Sequence, residues 1–216
     1  MRKDLTELVF IIDRSGSMYG LEADTVGGFN SMLENQKNVK GRAYVSTVLF
    51  SSESEVIHDR RRIDKVEPMN IKQYQVGGCT ALLDAVGKAI HHIGNVHKYA
   101  RKSDVPEKTL FVIITDGMEN CSHRYSASQV KNMIKHQQEK YGWEFMFLGA
   151  NIDAVSAASD IGIDKDRAVT FCCDEKGTAL NYETVGRAVE SLRECGSISA
   201  SWKAEIEEDE RSRGRR

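Results

Sequence analysis

No apolar run in this 216-residue sequence approaches the ~20 residues that a bilayer-spanning helix needs, so a membrane span is not expected. A secretory signal is not expected either. Met1-Arg2-Lys3-Asp4 leads into a short apolar run with acids in or beside it and no small-residue cleavage site. Basic charge is not in excess. A net charge of −2 argues against general nucleic-acid binding, which requires a basic surface. There is no Cys-x-x-Cys, which removes zinc knuckles and thioredoxin-type redox motifs. The five cysteines (Cys79, Cys121, Cys172, Cys173, Cys195) are an odd number without framework spacing. In a reducing compartment most are expected to be small buried hydrophobes. Neither Gly27-Gly28 nor Gly77-Gly78 precedes Gly-Lys-Ser/Thr, so no Walker loop is present. No Gly-x-Gly-x-x-Gly follows the first apolar run, which leaves dinucleotide binding without support. The expectation from these absences is a cytoplasmic protein that binds neither membrane nor nucleic acid.

What is present is ordinary globular composition, 40% hydrophobic and 29% charged, at a length that suits one domain with a large core. Leu8-Val9-Phe10-Ile11-Ile12 reads as a strand buried on both faces, ending abruptly on Asp13. Leu110-Phe111-Val112-Ile113-Ile114-Thr115 repeats the design and ends on Asp116. Val26, Phe29 and Leu33 have helical spacing within 21–39, where Gly27-Gly28 is expected as a close-packing point and Gly41 as a stop. Tyr44–Phe50 and Val56–Ile63 are strands joined by five residues. That link is too short for a parallel crossover, so they form an antiparallel hairpin. Arg60-Arg61-Arg62 is then a solvated edge that discourages strand addition. Thr80 stands just before a helical run of Leu82, Val86, Ile90 and Ile93. Ser126 and Gln129 fit a capping box. A strand at 143–148, a short helix at 153–161, a sixth strand at 168–173 and a helix capped by Thr178 complete residues 1–196.

Alternating strands and helices predict an α/β fold: a doubly wound, mostly parallel six-stranded sheet with one antiparallel edge strand and helices on both faces. From Ser197 apolar content collapses, so 197–216 is expected as a charged, mobile tail.

In open α/β sheets ligands bind beyond the carboxyl ends of the strands, where strand order reverses. Three segments then converge and offer Asp13, Ser15, Ser17, Thr80 and Asp116. Two carboxylates and three hydroxyls are hard oxygen donors suited to Mg²⁺, with Mn²⁺ next. Neutral hydroxyls leave the ion electrophilic, so a carboxylate from a partner could complete an octahedron.

The strings Asp13-Arg14-Ser15-Gly16-Ser17-Met18, Gly78-Cys79-Thr80-Ala81-Leu82 and Thr115-Asp116-Gly117 resemble the von Willebrand factor type A domain and its metal-ion-dependent adhesion site (MIDAS), in its intracellular bacterial form. The resemblance spans roughly residues 6–195 in element order, with all five signature positions in place. It implies divalent-metal-assisted binding of another protein, one that supplies an Asp or Glu, usually without catalysis.

Blander readings stand beside this. Asp-x-Ser-x-Ser alone is also a turn or helix cap. Ser15 lies in no Gly-x-Ser-x-Gly elbow and has no histidine placed to serve it, so no catalytic residue is assigned. His58, His91 and His92 read as surface histidines, and His123 as a solvated loop residue near the rim of the site. The alternative function is a metal-dependent hydrolase or phosphoryl-transfer enzyme using the same ion, with Glu119 or His123 as base; a metal-free scaffold is a third. Met18, Tyr19, Asn120 and Tyr125 are candidate partner contacts. Cys79 and Cys121 flank two of the three loops, where a redox link would distort the site.

Overall fold

The computed structural model describes residues 2–213, and side chains from Asp4 onward. Six strands form one sheet in the order β3-β2-β1-β4-β5-β6. They are β1 (Arg2–Asp13), β2 (Arg42–Phe50), β3 (Ser54–Arg62), β4 (Pro106–Thr115), β5 (Glu144–Ala150) and β6 (Ala168–Phe171). Every pair is parallel except β2–β3, which is the antiparallel edge expected from the short link. Strand order reverses between β1 and β4, the two continuous apolar runs.

Helices cover both faces. On one, α1 (Glu22–Lys37), α5 (Glu175–Cys195) and α6 (Ala204–Arg213) pack against Leu8, Phe10, Ile12, Leu110, Val112 and Ile114. On the other, α2 (Leu82–Tyr99), α3 (Ala127–Tyr141) and α4 (Ala154–Asp160) pack against Val9, Ile11, Phe111, Ile113, Phe145 and Phe147. Alternate residues of the same strand therefore serve opposite cores, which is why these strands are apolar throughout. Among the described residues, no helix is long and apolar enough to cross a membrane.

Local signals account for several element ends. Ser126 and Gln129 make the reciprocal capping box at the start of α3. Gly28 is a true close-packing point: a Cβ there would meet Tyr182 Cδ2 at 2.6 Å. At Gly27 the space is open.

Four expectations are corrected. Asp174, not Thr178, caps α5, because its side chain accepts from Gly177 N; Thr178 is buried within the first turns. His58 is buried on the inner face of the edge strand and bonded to Thr47 at 3.0 Å. Arg60 turns inward onto the buried Glu7 carboxylate at 2.8 Å, leaving Arg61 and Arg62 as the solvated edge. Residues 197–213 are not a loose tail. Ile198 and Ile206 enter the core beside α5, and Trp202 Nε1 donates to Asp166 O at 2.8 Å. The charges that read as solvated are paired: Lys176 with Asp209 at 2.8 Å, and Arg213 with both Asp209 and Asp174. Trp202 packs against the same core, and ion pairs to Asp174, Lys176 and Arg187 tie α6 to α5 and its cap. Residues 214–216 of the expected tail lie outside the described residues.

Candidate metal centre

The site begins where β1 and β4 end side by side. Ile12 pairs with Ile114, so Asp13 and Thr115 emerge as neighbours at the carboxyl edge of the sheet. Asp13 turns the chain: its Oδ1 accepts from Ser15 N at 2.6 Å, and its Oδ2 accepts from Thr115 Oγ1 at 2.5 Å. The buried Tyr74 hydroxyl donates to the Asp13 carbonyl. A 3₁₀ turn over Gly16–Met18 then presents Ser17.

Backbone hydrogen bonds sew the three loops together. Gly16 N donates to Gly78 O at 3.1 Å and Gly77 N to Arg14 O at 2.9 Å. Thr80 N donates to Asn120 Oδ1 at 2.9 Å, and Asn120 N returns to Thr80 O at 3.1 Å. Gly78 has φ +79, a turn open to glycine and costly for a side chain. Thr80 does not cap α2. Ala81 holds the cap position, which leaves the threonine hydroxyl free to face the site.

The oxygen donors converge. Ser17 Oγ donates to Asp116 Oδ1 at 2.6 Å, and Ser15 Oγ lies 3.1 Å from Ser17 Oγ. A Cβ built on Gly117 would sit 3.0 Å from Thr80 Oγ1, 3.3 Å from Ser17 Oγ and 3.8 Å from Ser15 Oγ. Three hydroxyls from two distant segments thus share one cradle in front of a residue with no side chain. All five positions read from the sequence are brought together. Among the described residues, no three His, Cys, Asp or Glu cluster elsewhere as an alternative centre.

The electrostatics are those of a site short of positive charge. Burial pushes the Asp13 carboxyl up to about 6, against the lowering effect of its hydrogen bonds from Thr115 and Ser15, and the Asp116 charge adds to the rise. Asp116 is raised by burial as well. Among the described residues neither has an ion-pair partner, so a divalent cation in the cradle would supply what the protein does not. The donor set of hydroxyl and carboxylate oxygens fits such an ion.

The loop after Asp116 is anchored by residues whose role the sequence did not disclose. Glu119 Oε1 accepts from Cys121 N at 2.9 Å and Ser122 N at 2.7 Å; its Oε2 accepts from Leu83 N at 2.9 Å and Ser122 Oγ at 2.7 Å. Asp84 accepts from the backbone of His123, Arg124 and Tyr125, and these bonds hold its carboxyl below the usual range despite partial burial. Cys173 lies 3.9 Å from Asp116 Oδ2. Cys79 and Cys121 are joined by a disulfide, and the hydroxyls converge with it in place. The expectation that most of the cysteines are buried hydrophobes is corrected: Cys79, Cys121, Cys172 and Cys173 are half-buried and Cys195 is exposed.

Of the candidate partner contacts, Tyr19 (84% exposed) and Asn120 face solvent. Met18 is buried in the core, and Tyr125 is half-buried over Gly87 with its hydroxyl 3.0 Å from His91 Nδ1. Met118, 73% exposed beside Gly117, joins Tyr19 at the rim.

No protein-family model matches the sequence, and no curated protein does. Solved structures do match in fold. A von Willebrand factor type A protein from Catenulispora acidiphila superposes with TM-score 0.57 at 16% identity, covering 86% of this chain and 43% of its own. The ArnB paralog VWA2 from Sulfolobus acidocaldarius gives 0.54 at 16% identity, covering 84% and 44%. Proximal thread matrix protein 1 from the mussel byssus, with zinc occupying its MIDAS motif, gives 0.56 at 14% identity, covering 86% and 46%. This chain spans less than half the length of each. The likeness is one of fold: a mixed Rossmann-like sheet of the von Willebrand type A kind.

Proposed function

We propose that this chain is a divalent-metal-dependent protein-binding module, in which Ser15, Ser17, Thr80 and Asp116 hold the ion and Asp13 fixes the loop that presents them. The single observation that carries this reading is the cradle in front of Gly117, where three hydroxyls face one point beside a buried carboxylate pair. The ion, Mg²⁺ or Mn²⁺ by donor hardness, supplies an electrophilic position that an Asp or Glu of a partner protein fills. Ser17 is exposed and Tyr19 and Met118 flank it, so the ligand approaches from solvent over an apolar rim. Zinc in the MIDAS of a structural neighbour supports a divalent ion at this position of the fold.

The hydrolase alternative asks for a base at the ion. Glu119 is poorly suited, because four donors already occupy its carboxylate. The His123 backbone N–H donates to Asp84, and among the described residues its exposed imidazole has no hydrogen bond to any of the five oxygen-bearing side chains of the cradle. Binding is therefore the reading preferred to catalysis. The test is Mn²⁺ electron paramagnetic resonance with acetate as a stand-in for the partner's carboxylate. Uptake of one Mn²⁺, lost in Asp116→Ala and spectrally altered by acetate, supports the reading. Uptake unchanged in Asp116→Ala overturns it.

A further inference from the structure

We propose that the Cys79–Cys121 disulfide is a redox-modification site that sets the affinity of the metal centre: the bridged chain takes up a divalent cation tightly, and the chain reduced by a small thiol takes it up weakly. The proposal rests on the reading of the five oxygen donors as a metal centre.

The bridge joins two of the three loops that build the site. Cys79 immediately precedes Thr80, and Cys121 immediately follows Asn120, the residue strapped to Thr80 through both N–H and side-chain oxygen. The two Cα atoms are 6.1 Å apart across 42 residues of sequence. Covalent bridge and hydrogen-bond strap therefore act at consecutive positions on the same pair of loops. Opposite them lies the Thr80–Gly117 approach that shapes the cradle.

The position suits regulation better than structural stapling. Both cysteines are half-buried, and neither belongs to a core cluster. The loop that carries Cys121 is already fastened to the start of α2 by Glu119 and Asp84. The turn that delivers Thr80 begins with Gly77 and Gly78, which offer no side chain. It is held by backbone hydrogen bonds, by Ser52 Oγ accepting from Cys79 N at 3.1 Å and by Asn120 Oδ1 accepting from Thr80 N at 2.9 Å, and the bridge is its covalent restraint. Reduction removes the covalent part of that restraint. The site then spends a smaller fraction of time competent to bind, and apparent affinity falls by that fraction.

The chemistry is thiol–disulfide exchange with a low-molecular-weight thiol. A thiolate attacks one sulfur, the Cys79–Cys121 bond breaks, and the departing cysteine thiolate takes a proton. A second thiol attacks the mixed disulfide, releases the other cysteine, and leaves as the oxidised small disulfide. Two electrons pass from the two small thiols to the protein. By linkage, bound metal shifts this equilibrium toward the bridged form by the same factor that bridging raises metal affinity.

The test is calorimetric titration of Mg²⁺ into the full chain after treatment with a small disulfide or with a phosphine reductant removed by desalting. Intact mass without reductant reports the bridge. Binding roughly fivefold or more tighter in the bridged chain is the expected result. A Cys79→Ser, Cys121→Ser chain should match the reduced protein after either treatment. A smaller difference, tighter binding by the reduced chain, or Cys79 and Cys121 themselves remaining unbridged after the disulfide treatment, as peptide mapping separates them from the free Cys172, Cys173 and Cys195, overturns the proposal and leaves the metal centre standing. No uptake by either form removes the metal reading itself, and this proposal with it.

Discussion

Thr115 Oγ1 donates to Asp13 Oδ2 at 2.5 Å, linking residues 102 positions apart at the ends of the two central strands. This bond orients the carboxylate that starts the first loop, and with the bonds from Ser15 it stabilises the charged form of Asp13 in a buried setting. Thr115→Val keeps the shape and removes the donor. Leaving a buried carboxylate short of a partner costs about 1–3 kcal/mol. Denaturant unfolding should show that loss in metal-free protein, and Mg²⁺ titration should show weaker uptake.

The raised carboxyl of Asp13 has a definite sign in pH. Its folded value, about 6, exceeds the unfolded value of 3.8, so the folded state binds the extra proton in between. The stabilising contribution of that proton is complete below about pH 4 and disappears as pH rises toward 6. Above that, the ionised buried group costs on the order of 3 kcal/mol in metal-free protein. A bound divalent cation offsets this cost and competes with the proton. Mg²⁺ should therefore raise the melting temperature clearly at pH 7.5 and little at pH 5. An equal rise at both values would contradict this.

Gly117→Ala tests the cradle without backbone strain, since Gly117 lies outside the left-handed region. The new methyl would stand 3.0 Å from Thr80 Oγ1 and 3.3 Å from Ser17 Oγ, in the space where the ion is expected. Metal affinity should drop at least tenfold by calorimetry. The melting temperature of the metal-free protein should change little, because the site opens toward solvent at Ser17.

Ile206 is 2% exposed against the α5 face of the core. Ile206→Ala should cost about 2–5 kcal/mol by chemical denaturation, as for other buried aliphatic truncations. A substitution that leaves stability unchanged would return this segment to the role of an unattached tail.

Much of the architecture was legible because a few residues carry strong local constraints. Five apolar residues ending on Asp13, and a matching run ending on Asp116, mark strands buried on both faces. The five-residue link between β2 and β3 permits only a hairpin. Ser126 and Gln129 mark the start of α3. The five oxygen donors were legible for a related reason: each follows a strand end or precedes a helix. Their supports were not. Thr115 matters only because β1 and β4 are neighbours, and Tyr74 reaches Asp13 from a connector that has no periodic pattern. Glu119 resembles a reactive acid in sequence and is a loop anchor in space. The segment around Ile206 looks like a tail in sequence because its charges are satisfied by partners distant in sequence, notably Asp174 and Lys176.

The most direct measurement is the anomalous difference density of a crystal soaked in Mn²⁺. One peak is expected in front of Gly117, within bonding distance of the Ser15, Ser17 and Thr80 hydroxyls or of the Asp116 carboxylate. No peak there, or a peak held by other residues, would contradict the metal centre and the binding function built on it.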